Sequence, residues 1–450
     1  MLTSENKKFI NLILTIVLPV AFQGIIATTL NMADTVMVAT LGDAAIAAVG
    51  LVNQYMYFFM VTVFGICSGS SIFITQFYGK KDIDNINRHF VIMMVSVFSV
   101  GVIFTLGSII FKEQLLLLFS HESEVRELAG IYLNIIIFTF IITGISFGIT
   151  TALRSSGDAK SPVIISVISF FANIIFNYIF IFGKLGFPKM GVAGAALGTL
   201  IARIIEIVLS IIILRGPDVV FKFNYKIAKS VDRKCIGTYL KIATPVILAE
   251  TLWSLAQLFF SAIYARTGKQ GAAAIQVTNT IQNVFFILSN SLCAAAAIII
   301  GQMIGAKEYE KTKRYASKFM KITILFGIVS GLILILFPNQ LLLLYFGLEP
   351  GLKNVSVNLL IIRGIFILFR FINAMFVIGV FRGGGDSKVP LIYELITIWI
   401  YAIPVALIGT FVFKLSIEMI FVLVSIEEII KMIMLIPRYI SGKWLKNVTE

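Results

Sequence analysis

Phe73-Ile-Thr-Gln-Phe-Tyr-Gly-Lys-Lys-Asp82 returns later in the chain as Ile299-Ile-Gly-Gln-Met-Ile-Gly-Ala-Lys-Glu308, and the offset between the two is 226 residues. A second pair, Leu153-Arg-Ser-Ser-Gly-Asp-Ala-Lys-Ser-Pro162 and Phe381-Arg-Gly-Gly-Gly-Asp-Ser-Lys-Val-Pro390, repeats at an offset of 228. The first offset also carries Pro19 onto Pro245, Gly42 onto Gly268 and Gln76 onto Gln302. The register therefore holds across almost the whole first half, and the chain reads as a duplication.

The repeated unit is apolar. Hydrophobic residues make up 58% of the sequence and charged ones 13%, with a mean hydropathy of +0.97. A chain of that composition has to bury most of its surface in lipid. A helix needs about 20 apolar residues to cross the hydrocarbon core. Twelve segments meet that length: 9–40, 45–72, 90–111, 129–152, 162–183, 190–214, 242–265, 276–300, 318–338, 357–380, 390–413 and 416–437. The expected fold is all-α and integral to the membrane, with six helices per half. Residues 1–214 form an amino lobe, 215–241 a linker and 242–450 a carboxy lobe. An even number of crossings per half leaves both repeats in the same orientation, the parallel arrangement seen in transporters whose halves enclose a central cavity.

Basic residues set the orientation. Alternating the loops puts 24 Lys and Arg on the side that holds both termini and the linker, and 8 on the other. Both termini and the linker are therefore expected in the cytoplasm. The net charge of +14 then reflects inner-face residues meeting anionic headgroups, and no nucleic-acid partner is implied. The first helix continues past Met37 with no Ala-x-Ala cleavage site and reads as a retained helix.

Several chemistries drop out. Cys67, Cys235 and Cys293 follow no ligand or redox spacing and read as small buried hydrophobes. His89 and His121, both at expected helix ends, are the only histidines, which excludes a histidine-based metal centre or a Ser-His-Asp triad. No GxxxxGK[ST] cradle exists to bind ATP. An integral-membrane enzyme would also need a nucleophile and base that the sequence lacks, and no cofactor is expected.

Polar residues at membrane depth remain, each costly and so a candidate for function. Asp34 stands alone in the run from Phe9 to Thr40, with no basic residue within two turns of its own helix. A carboxylate there has to be neutralised by a proton, a metal ion or a cationic ligand. In helix 5, Asn173 and Asn177 are four residues apart on one face and suit a small hard cation or a hydrogen-bond network around Asp34. In helix 6, Thr199 follows Gly198 at the end of Gly191-Val-Ala-Gly-Ala-Ala-Leu-Gly198, a run that lets helices approach closely. The second half differs: Phe260 replaces Asp34, and Glu250 follows Pro245 by five residues in helix 7. Helix 8 carries Gln276, Asn279, Asn283 and Asn290 along one face, expected to be the wall of a wet cavity. Arg203, Glu206, Arg370, Asn373 and Glu394 also lie at depth. Arg363, Glu427, Glu428 and Lys431 lie nearer helix ends and are expected at the interface.

Taken together, Pro19, Asn31-Met-Ala-Asp-Thr-Val-Met-Val-Ala-Thr-Leu-Gly42, Gln76-Phe-Tyr-Gly79, Leu153-Arg-Ser-Ser-Gly-Asp158, Gly191-Val-Ala-Gly-Ala-Ala196 and Phe381-Arg-Gly-Gly-Gly-Asp386 resemble the multidrug and toxin extrusion (MATE) transporters of the bacterial NorM and DinF type. The resemblance covers nearly the whole chain. It implies a V-shaped pair of six-helix lobes and a monomeric inner-membrane antiporter that expels organic cations in exchange for Na+ or H+. Residue by residue, Asp34, Asn173, Asn177 and Thr199 match the family's amino-lobe cation site, where Na+ would sit on Asp34, Asn173 and Asn177. Asn177 stands where some members carry an Asp. Glu250 matches an acidic residue of the carboxy lobe, while its helix-10 partner is here Asn373 and the aromatic residue before it Phe369, so the amino lobe carries the ion-site expectation. A lipid-linked oligosaccharide flippase of the same superfamily is the alternative; such carriers need clustered intramembrane Arg and Lys, and only Arg203, Arg363 and Arg370 lie at depth here.

Overall fold

The structure is a computed structural model that describes residues 4–119, 122–217, 219–222, 225–343, 345 and 348–450. His121 lies outside the described residues. Among those described there are helices and no strands. That is the outcome lipid imposes on a chain that must satisfy every backbone group internally.

Among the described residues, ten helices are long and apolar enough to cross a membrane. In chain order they are span 1 (Phe9–Ala39, within the helix Ser4–Ala39), span 2 (Asp43–Lys80), span 3 (Ile83–Ile110), span 5 (Lys160–Phe182), span 6 (Gly191–Leu214), span 7 (Arg233–Ala265), span 8 (Lys269–Gly305), span 9 (Tyr309–Leu336), span 10 (Pro350–Arg382) and span 11 (Lys388–Val412). Spans 1 and 7 run through Pro19 and Pro245 without interruption.

Two crossings differ from their expected form. Span 4, expected as one helix over 129–152, is broken into Ser123–Ile136 and Thr139–Ser155 with a bend of 51°. The carbonyls freed at the break are taken up by hydroxyls: Thr139 Oγ1 donates to Ile136 O at 2.6 Å, and Thr105 Oγ1 to Ile137 O at 3.2 Å. Threonines of this kind make a broken helix tolerable in lipid. Span 12 (Ile417–Ile440) is long enough but holds Glu427, Glu428 and Lys431 in its middle. Glu427 and Lys431 are buried and ion-paired at 2.5 Å, so they are interior residues rather than interfacial ones. Arg363 is likewise buried, only 4% exposed. Spans 10 and 11 also contain π-helical stretches, Met375–Arg382, Leu395–Ala402 and Ile408–Val412.

The duplication is visible in the backbone. Gly42 and Gly268, one repeat apart, adopt φ of 105° and 103° in the turns that end spans 1 and 7. Lys81 and Lys307, also one repeat apart, both sit at φ 61°. Left-handed residues at helix ends release the chain from the helical path.

The chain divides into two compact units. One comprises Leu18–Ile74 with Asp82–Leu240, and the other Met1–Val17, Thr75–Lys81 and Lys241–Glu450. In the first unit the linker is tied to span 3: Asn87 Nδ2 donates to Val220 O at 3.1 Å, and Lys222 N donates to Asn87 Oδ1. His89 is buried beside this contact and stacks on Phe73 with centroids 4.5 Å apart. In the second unit the two copies of the opening motif meet. A Cβ on Gly79 would fall 1.8 Å from Gln302 O, and one on Gly305 would fall 1.8 Å from Gln76 O. Each glycine is thus the bare spot onto which the other copy's backbone packs, as small residues allow in membranes.

Candidate functional site

Asp34 projects from span 1, and three side chains from spans 5 and 6 connect to it in a line. Asn177 Nδ2 donates to Asp34 Oδ1 at 2.7 Å and to Asn173 Oδ1 at 3.0 Å. Asn173 Nδ2 donates in turn to Thr199 Oγ1 at 3.3 Å. Asn173 and Asn177 are 2% and 1% exposed, while Asp34 is half-buried. The helix periodicity that puts the two asparagines on one face is what makes this chain of bonds possible. The four residues singled out in the amino half are therefore brought together.

The close approach of spans 5 and 6 depends on small residues. A Cβ on Gly198 would lie 2.1 Å from Asn177 Oδ1 and 2.8 Å from its backbone N, and one on Gly194 would lie 2.6 Å from the Phe180 backbone. With hydrogen at those positions, Asn177 seats fully against span 6. Its Oδ1 is buried and has no hydrogen-bond partner among the described residues. A buried amide oxygen left bare beside a carboxylate is an unsatisfied acceptor that a cation or a water would fill.

Folding also supplies a neighbour that lies far away in sequence. Arg203 of span 6 is in electrostatic range of Asp34 and is ion-paired to Glu206 on the next turn. Tyr132, buried in span 4, shares that environment with Asp34, Thr199 and Arg203. Tyr132 is the residue that sequence reasoning missed; lying in an apolar helix, it carries no local signal.

The second unit is arranged differently. Glu250 is ion-paired at 2.7 Å with Arg382, which is itself buried. Asn373 does not meet Glu250. Its Nδ2 donates to Glu428 of span 12, to the backbone O at 2.7 Å and to Oε2 at 2.8 Å. Glu427 accepts from Thr397 at 2.8 Å in addition to its bond with Lys431. Of the polar face on span 8, Gln276 and Asn283 are exposed, Asn279 accepts a hydrogen bond from Arg363 at 2.7 Å, and Asn290 is half-buried. Among the described residues no group of three or more His, Cys, Asp or Glu is placed to hold a metal ion.

Apolar helices long enough to cross a membrane, repeated in two like halves with a carboxylate and amide oxygens gathered inside one of them, define a membrane transporter built on an internal repeat. The MatE family model matches residues 19–179 and 245–408, starting at Pro19 and again at Pro245 one repeat later, and the chain belongs to that family. A probable multidrug resistance protein NorM of Thermotoga maritima is 25% identical over 440 residues, spanning 97% of this chain and 93% of that protein. A probable multidrug resistance protein YoeA of Bacillus subtilis is 26% identical over 84% of this chain and 81% of its own length. Among solved structures, a MOP superfamily transporter from Pyrococcus furiosus superposes with a TM-score of 0.85 at 21% identity, covering 98% of this chain and 96% of that one. A model of the lipid II flippase MurJ also matches residues 149–266.

Proposed function

We propose that the protein is a secondary active antiporter of the cytoplasmic membrane that exports organic cations in exchange for Na+ or H+, with Asp34, Asn177, Asn173 and Thr199 as the coupling site. The observation that carries this reading is the bare, buried Oδ1 of Asn177 beside the Asp34 carboxylate. Loading that carboxylate with a proton or a cation removes a negative charge held at membrane depth. Emptying it restores the charge. A transporter whose two access states differ in how they solvate Asp34 is thereby biased by the ion, since a ligand moves a conformational equilibrium only through differential affinity. The carboxylate and amides of this site suit positively charged cargo, and relatives named as multidrug resistance proteins support the same direction. The excess of basic residues on one side supports cytoplasmic termini.

A second reading, a flippase for lipid-linked oligosaccharides, draws on the MurJ match. That match covers residues 149–266 and so includes Arg203 but neither Arg363 nor Arg370. Arg203 is already paired with Glu206, which leaves it poorly suited to a pyrophosphate.

The test is uptake of a fluorescent organic cation into inverted vesicles, driven in turn by an imposed Na+ gradient and an imposed pH gradient. One of the two gradients is expected to drive transport, and Asp34→Asn to lower the driven rate at least about tenfold, the equivalent of roughly 1.4 kcal/mol. Wild-type rates in that variant, or no response to either gradient in the parent protein, would overturn the assignment.

A further inference from the structure

Among its described residues, the second unit contains two arginines at membrane depth with no carboxylate to answer them. Arg363 and Arg370 lie seven residues apart on span 10, and Arg363 is about 20 Å of helix beyond Pro350. Arg363 is 4% exposed. Its Nε donates to Thr278 Oγ1 at 3.1 Å, Nη2 to Asn279 Oδ1 at 2.7 Å and Nη1 to Gln282 Oε1, while Phe421 lies under the guanidinium at 4.6 Å. All of these partners are neutral. Arg370, half-buried, lies over the Phe286 ring at 4.9 Å. The two guanidinium groups feel each other electrostatically, and both feel the buried Tyr264. Among the described residues neither arginine forms an ion pair.

Three other cations at depth among the described residues have a counter-charge. Arg382 has Glu250, Lys431 has Glu427, and Arg203 has Glu206. Two like charges gathered in a low-dielectric interior raise each other's cost, and hydrogen bonds to amides do not cancel it. A guanidinium has five N–H donors, and three at Arg363 are spoken for. At Arg370 the ring contact leaves the donor edge open. What the pair lacks is an anion.

We propose that Arg363 and Arg370 form an oxyanion-binding site in the second unit, with Arg370 as the open fork and Arg363, fixed by span 8, as the buried charge behind it. Guanidinium groups recognise carboxylate and phosphate oxygens through paired N–H bonds. The ring of Phe286 against Arg370 favours an anion attached to a flat apolar body. Two sources carry that chemistry, an organic carboxylate from solution and the phosphate of an anionic lipid. The site shares no residue with the one around Asp34 and is tested at equilibrium with no ion gradient, so its failure leaves the coupling proposal untouched.

The experiment uses the purified full chain in neutral detergent with radiolabelled benzoate. Saturable binding is expected, weakened at least about tenfold in Arg370→Gln, the loss of a charge-assisted fork, and unchanged in Lys353→Gln, an exposed basic residue of the same helix. A measurement on the unaltered protein guards against a variant that does not fold: benzoate is expected to protect Arg370 from phenylglyoxal, read by peptide mass. A second arm incubates the protein with phosphatidylglycerol and reads retained lipid by native mass spectrometry. Retention by the wild type and its loss in Arg370→Gln, without benzoate binding, assigns the lipid headgroup. The proposal is overturned if neither probe is bound, if binding is undiminished in a folded Arg370→Gln, or if bound benzoate leaves Arg370 fully open to phenylglyoxal.

Discussion

Asn177 and Asn373 are both asparagines at membrane depth, each with one amide oxygen buried and unpartnered among the described residues, yet their surroundings divide their roles. Asn177 bonds the lone carboxylate of span 1, whereas Asn373 bonds Glu428 of span 12. Replacing Asn177 with Ala removes a side-chain oxygen and a hydrogen bond without changing net charge. The expected cost is about 1 to 3 kcal/mol, or roughly 5- to 150-fold in apparent ion affinity. Asn373→Ala is expected to lower thermal stability through the bond lost to Glu428 and to leave ion dependence nearly intact. Initial transport rates against Na+ concentration and against pH in proteoliposomes separate the two. A mild Asn177→Ala together with a severe Asn373→Ala would move the coupling site into the second unit. The two asparagines of span 5 were legible in the sequence because four-residue spacing fixes a shared face. The partner of Asn373 was not legible, since span 12 meets span 10 only after the chain has folded.

At the scale of the element, span 12 holds the clearest test. Glu427 and Lys431 are one turn apart, 7% and 8% exposed and bonded at 2.5 Å. Read as lying near a helix end, they are expected at the interface. Their burial among spans 10 and 11 is a tertiary fact. Removing one partner leaves a bare charge in the interior, so Lys431→Met is expected to destabilise by about 3 to 5 kcal/mol. Replacing both, Glu427→Met with Lys431→Met, is expected to recover most of that loss, because a buried pair often contributes little beyond an apolar pair of like volume. Unfolding midpoints of the single and double variants in detergent provide the measurement. Equal losses in both would mean that the pair is itself a net source of stability. The bend in span 4 belongs to the same scale. No proline or glycine marks residues 137–138, and the threonines that satisfy the break do so partly from span 3. A one-dimensional reading therefore draws span 4 straight.

For the whole molecule the accessible question is orientation. The split of basic residues predicts that a cysteine at Lys311 labels only from the cytoplasm and one at Lys189 only from outside. An impermeant maleimide applied to intact cells and to inverted vesicles reads this directly; labelling of the Lys311 position in intact cells would reverse the topology. The duplication governs this scale as well. The Gln-x-x-Gly copies that reveal it in the sequence are the segments packed on one another, Gly79 against Gln302 and Gly305 against Gln76. Their spacing is thus tied to a contact in which any side chain on the glycine would collide.

The sequence by itself determined the class of fold, the repeat and the three residues gathered around Asp34. These rest on local quantities: apolar length, helical period and the register of one half against the other. Only the tertiary structure decided which charges are neutralised. It brought Arg203 near Asp34, gave Arg382 to Glu250, and left Arg363 and Arg370 among amides and rings. The physical reason is that a charge in a membrane is stabilised by whatever lies across the helix interface, and that neighbour comes from a residue tens or hundreds of positions away.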